Sequence, residues 1–123
     1  MKVKSVQNII MKQKFRAWIK GDEEMTYSWQ HDCLSHFFSY LKQNWSITDY
    51  IIQQFTGLLD KTGKEIYEGD ILEGFTYPVE FMMGSFGARI LYDQIFLTLY
   101  NCPQEQLLIL GNVFENPELL NNE

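Results

Sequence analysis

No apolar run in this sequence approaches the ~18 residues that a membrane-spanning helix requires. The N-terminus, Met1 to Ile10, has basic residues but lacks the long apolar core of a secretory signal. A cytoplasmic protein is therefore expected. There are only two cysteines, Cys33 and Cys102. A single possible pairing in a cytoplasmic chain makes them free thiols rather than a disulfide framework. The phosphate-binding loop, the dinucleotide fingerprint and the G-x-S-x-G nucleophile elbow are all missing. So is the H-x-E with P-C-x-x-C pattern of zinc deaminases. Basic charge is scarce after residue 20. The chain carries −6 overall, yet residues 1–20 alone carry +6, with no acid among them, which leaves −12 on the rest.

What is present is apolar and aromatic. Hydrophobic residues make up 46% of the 123 positions and aromatics 15%, which places the chain among folded globular proteins and not disordered ones. The length suits one domain with a real core. Large rings fill a small core, and some of them suit an oligomer interface.

The most informative stretch is Gln53 to Leu72, QQFTGLLDKTGKEIYEGDIL. Ile51, Ile52 and Phe55 form a β-prone run that Thr56-Gly57 interrupts. Asp60-Lys61-Thr62-Gly63 has Asp at the first position of a type I turn and Gly at the last, where a left-handed residue closes a hairpin. Lys64 to Tyr67 is the returning strand, Glu68-Gly69 a second turn, and Asp70-Ile71-Leu72 the next strand, with Ile71 facing opposite to its neighbours. Short strands between tight turns are the grammar of a β-meander or small barrel.

Elsewhere, Lys14 to Ile19 alternates, with Phe15, Ala17 and Ile19 on one face and Arg16 and Trp18 on the other. Gly21 to Glu24 turns the chain, and Met25 to Trp29 returns as a second strand. Leu34, Phe37, Phe38 and Leu41 have helical spacing, with Asp32 as N-cap. Tyr77 to Phe81 and Ala88 to Tyr92 make a further hairpin around Met82 to Gly87. Phe96 to Tyr100 fits strand or helix, and Asn101 to Gln106 is a loop. Leu107 to Phe114 is the last strand, with a bulge or turn at Gly111-Asn112. Asn116-Pro117-Glu118 opens one closing turn of helix. The expected fold is thus mainly β: a meander or small partly open barrel of five to eight strands, with one inserted helix and a short C-terminal helical turn. Residues 1–10 read as an extension and 11–123 as a single domain.

FTGLLDKTGKEIYEGDIL resembles the signature block of the YopX family of phage and prophage proteins from Gram-positive bacteria. KFRAW at Lys14 to Trp18 is similar to its opening strand, and GNVFENPELL at Gly111 to Leu120 to its closing segment. The resemblance implies a compact β-rich fold, a phage origin and no established biochemical activity. It supplies no catalytic residue.

Four constellations invite chemistry. Asp60 to Gly63 resembles the phosphorylated-aspartate motif of P-type transport ATPases, with Lys64 replacing its last Thr. That chemistry needs a magnesium pocket and further acidic motifs, so a hairpin turn is the reading. His31, Cys33 and His36 offer three metal ligands, but on a helix the two histidines lie roughly 140° apart, and a structural zinc wants four. Glu65, Glu68, Asp70 and Glu73 form an acidic cluster that suits a metal-dependent hydrolase, though strand and turn carboxylates usually serve solubility. Gly84 to Gly87 is a G-x-x-G, better read as a hairpin loop than as a nucleic-acid clamp. No catalytic, cofactor-binding or metal-ligating set is expected.

The expectation is therefore a non-enzymatic accessory protein acting through protein contacts. Its partners would be copies of itself and a host or phage protein. The alternative is a nucleic-acid-binding barrel whose surface runs along the basic arm through Lys12, Lys14, Arg16 and Trp18.

Overall fold

The structure is a computed structural model and describes residues 13–90 and 95–120. The chain divides into two compact units, one ending at Gly57 and the other beginning at Leu58.

In the first unit, strand β1 (Phe15–Ile19) is paired on both sides. On one side is β2 (Glu24–Tyr27), on the other β3 (Tyr50–Leu59), both antiparallel. Ala17 lies opposite Thr26 and Ile52, and Ile19 opposite Glu24 and Tyr50. The alternation of β1 sends Phe15, Ala17 and Ile19 to one face. There they meet helix α1 (Leu34–Asn44), whose Phe37 and Leu41 are fully buried. Ala17, Ile19, Phe37, Leu41 and Tyr50 form the core, with Phe15, Phe38 and Trp45 packed around it. Each large apolar side chain buried there contributes about 1.5–3 kcal/mol.

The helix departs from expectation at its N-terminus. Its N-cap is Cys33 and not Asp32. It runs to Asn44, whose amide donates to the Tyr40 carbonyl at 2.8 Å. Trp45 ends it in extended conformation. β3 is longer than expected. Gly57 does take a left-handed φ of +88°, yet the strand continues to Leu59.

The second unit continues from Leu58 through the Asp60–Lys64 turn. Gly63 sits at φ +90°, its N–H donating to the Asp60 carbonyl at 2.9 Å, as the turn chemistry predicts. β4 (Glu65–Tyr67) and β5 (Asp70–Leu72) follow. β5 pairs antiparallel with β9 (Ile109–Asn112), with a bulge between Ile71 and Leu72. All three β5 residues are buried, so the strand is covered on both faces rather than facing solvent on one. A separate three-stranded antiparallel sheet runs in the order β6 (Glu80–Met82), β7 (Ser85–Ile90), β8 (Ile95–Thr98). The core here is aliphatic: Ile66, Leu72, Val79, Leu99 and Leu107.

The β6–β7 hairpin is tighter than the Met82–Gly87 loop expected. Its turn is Met83-Gly84 alone, both at positive φ (53° and 84°). A two-residue turn of that hand matches the twist of the strands it joins. Ser85, Phe86 and Gly87 therefore belong to β7. Phe96 to Tyr100 resolves into β8 and a 3-10 turn at Leu99–Asn101, and a second 3-10 turn covers Gln104–Gln106. The chain closes with the 3-10 turn Pro117–Leu120. Asn116 stands before it as expected, its carbonyl accepting the Leu119 N–H at 3.1 Å, while its side-chain oxygen accepts the Asn112 N–H at 3.1 Å. Among the described residues the fold is mainly β with one α-helix, as expected, though there are nine strands, more than the sequence implied. No described helix is long and apolar enough to cross a membrane.

Candidate interaction surface

Cross-strand partners in an antiparallel sheet point to the same side. In the β6–β7–β8 sheet, Phe81 lies opposite Phe86, Ala88 opposite Leu97, and Ile90 opposite Ile95. One face therefore carries Phe81, Phe86, Ala88, Ile90, Ile95 and Leu97. Ala88 is buried, but Phe81 remains 53% exposed, Ile95 41% and Leu97 39%. Phe81 and Phe86 meet edge to face at 4.9 Å. At the hairpin tip Met83 is 94% exposed. The opposite face is mixed, with Glu80, Ser85, Arg89 and Thr98 beside Met82 and Phe96. The Arg89 Nε donates to Glu80 Oε2 at 2.6 Å, and the guanidinium lies over the Tyr77 ring at 4.9 Å. Among the described residues of the three strands these are the only charged ones, one of each sign. Gly87 is required on this side. A Cβ there would sit 2.4 Å from the Leu97 carbonyl oxygen and 2.6 Å from the Phe96 ring.

The residues singled out in the sequence lie elsewhere. Lys12 is outside the described residues. Lys14 is half-buried, its ammonium 5.5 Å from the centre of the Phe55 ring. Arg16 and Trp18 are both buried, and the Arg16 Nε donates to the Gln53 side-chain oxygen at 2.8 Å. Solvent-facing positions were expected there. Strand alternation gives the side on which a residue points but not whether that side is covered.

His31 packs on the rings of Phe37 and Tyr40, at 5.5 and 4.8 Å, whereas His36 faces Asp32 at 3.8 Å. Cys33 is exposed, and the Ser35 hydroxyl and His36 backbone N–H draw its thiol below the usual range. Among the described residues, no three of His, Cys, Asp and Glu are grouped so as to hold a metal. In the acidic cluster, Asp70 is buried and accepts the Tyr67 N–H at 2.8 Å, closing the turn between β4 and β5. Glu65 accepts the Tyr67 hydroxyl at 3.2 Å.

Asp60 is the most constrained of these groups, at 1% exposure. One carboxylate oxygen accepts the N–H of Thr62, the Thr62 hydroxyl and the N–H of Lys64, at 2.7–3.0 Å. The other accepts the N–H of Ile109 at 3.1 Å. Burial opposes its charge, but these donors prevail and hold its pKa down to about 2. With its oxygens committed to the fold, Asp60 joins the β3–β4 turn to the start of β9. Its carbonyl oxygen also accepts from the Gln104 side chain at 2.9 Å.

Among family models, the chain matches the one described as YopX protein over residues 14–121. No curated protein matches it. Among solved structures it is similar to the crystal structure of protein EF1440 from Enterococcus faecalis. The two share 26% sequence identity at a TM-score of 0.57, over 88% of this chain and 97% of that one. A family match over residues 14–121 takes in all nine strands and both compact units: the chain belongs to the YopX family.

Proposed function

We propose that this is a phage- or prophage-encoded accessory protein of the host cytoplasm, which works without catalysis as a homo-oligomeric protein-interaction module. The observation that carries this reading is the apolar face of the β6–β7–β8 sheet, with Phe81, Ile95 and Leu97 open and Met83 exposed at the hairpin tip. Several large apolar side chains left exposed on one face of a sheet mark a contact site more often than single scattered ones do. The face also bears no net charge, on a chain whose residues beyond 20 carry −12. Like-charged copies can approach one another there with least repulsion.

Sedimentation at micromolar concentration tests it. An oligomer is expected, and the double substitution Phe81→Ser with Leu97→Lys should return it to monomer without unfolding it. A strict monomer at micromolar concentration overturns the oligomer. The nucleic-acid reading ranks below, because two of its four residues, Arg16 and Trp18, are buried.

A further inference from the structure

We infer that β8 is the seam of the oligomer: it pairs antiparallel, about a twofold axis, with β8 of a second copy of this chain. The inference rests on the homo-oligomer reading above and names the strand that joins the copies.

An edge strand offers a row of backbone donors and acceptors to any passing strand, and proteins guard such edges with charge, proline, bulges or local caps. Two edges in this molecule are guarded. β2 begins at exposed Glu24, and at its far end the Tyr27 N–H donates to the Gln30 side-chain oxygen at 2.7 Å. β6 spans only three residues and carries Glu80. β8 is the other edge of the β6–β7–β8 sheet, and its sequence, Ile95-Phe96-Leu97-Thr98, has no charge, proline or glycine. Ile95 and Leu97 remain open beside it.

A second copy is the occupant that this strand fits. Pairing two identical strands antiparallel about a twofold axis places residues of the same face opposite one another. With Phe96 at the axis, Ile95 meets Leu97 of the second copy, and Leu97 meets its Ile95. The two sheets then become one of six strands, and the two apolar faces merge into a single band. The Glu80–Arg89 pair neutralises each half. A foreign basic partner would instead be drawn to the acidic surfaces and would gain nothing from a neutral strand.

Cysteine scanning tests the seam. In the full chain with Cys33→Ser and Cys102→Ser, single cysteines are placed at positions 81, 95, 96, 97 and 98 and oxidised at a concentration where the oligomer forms. Side chains directly opposite in such a pair have Cβ atoms about 4.5–5.5 Å apart, close to disulfide reach. Cross-linking should peak at Phe96→Cys and fall on either side. Mixed Ile95→Cys and Leu97→Cys proteins should cross-link several-fold better than either alone. The mixed pair decides the matter if Phe96→Cys, which loses the ring over Gly87, fails to fold. Strongest cross-linking at Phe81→Cys, or equal yields at all positions, would leave the oligomer standing and overturn the seam. A monomer by sedimentation would overturn the homo-oligomer itself.

Discussion

The first unit satisfies its backbone mainly with one helix and long strand pairings, while the second combines short strands and irregular backbone bonds with a few buried polar side chains. Up to Gly57 there is an eleven-residue helix, two strand pairings along β1 and a core rich in rings. From Leu58 onward the described residues hold no α-helix, the strands are three to six residues long, and 3-10 turns fill the gaps. Short elements leave many N–H and C=O groups without a regular partner. Asp60, Asp70, Asn112 and Asn116 take up that role. Asn112 shows it well: its side-chain oxygen accepts the N–H groups of Phe114 and Glu115 at 3.0 and 2.9 Å, while its own N–H donates to Asn116. The lesson is that a chain can replace helix with a few buried polar side chains, at the cost of concentrating its stability in single residues.

That contrast can be broken from either side. In the first unit the weak point is packing, so Phe37→Ala should lower stability by about 3–5 kcal/mol. All three tryptophans lie in this unit, at positions 18, 29 and 45, so their fluorescence in a urea titration reads the loss there. In the second unit the weak point is polar. Asp60→Ala removes the acceptor of three part-buried N–H groups and should lower stability by about 3 kcal/mol, since a single fully stranded group costs about 1–3 kcal/mol. Faster hydrogen exchange at the amides of Thr62, Lys64 and Ile109 checks it.

Gly87→Ala sharpens the comparison, because it tests backbone approach rather than side-chain bonding. The added methyl meets the Leu97 carbonyl and should lower stability by about 2 kcal/mol, in the range for overpacking. A comparable loss is expected on acidification. The Asp60 carboxyl is at about 2 in the folded chain against an ordinary value near 3.8. A depressed pKa contributes stability above the unfolded value that is lost as pH falls through the folded one. On the order of 2 kcal/mol should therefore disappear between pH 4 and pH 2. The slope of urea midpoint against pH should flatten in Asp60→Asn.

Local chemistry was legible in the sequence wherever it was settled locally. The helix followed from Leu34, Phe37, Phe38 and Leu41, and the Asp60–Gly63 turn from its end residues, because spacing and φ preferences act within a few positions. The N-cap was misplaced because Cys33 sits as cap without any side-chain bond to advertise it. The Met83-Gly84 turn was hidden because methionine is a poor predictor of positive φ. The second oxygen of Asp60 answers to Ile109, 49 residues away. No short window of sequence shows such a bond. The burial of Arg16 and the openness of Leu97 were illegible for the same reason. Both residues sit on alternating strands, and alternation does not say which faces are covered. The apolar signal of the candidate surface was visible only as a high aromatic share.

Met83 has one more consequence. A thioether that is almost wholly exposed is readily oxidised to the sulfoxide. Its neighbour Met82, half-buried on β6, is a built-in reference one residue away. The molecule thus carries its own footprinting label at the edge of the face in question. Dilute peroxide followed by peptide mass analysis would report, without any substitution, how often that corner is covered.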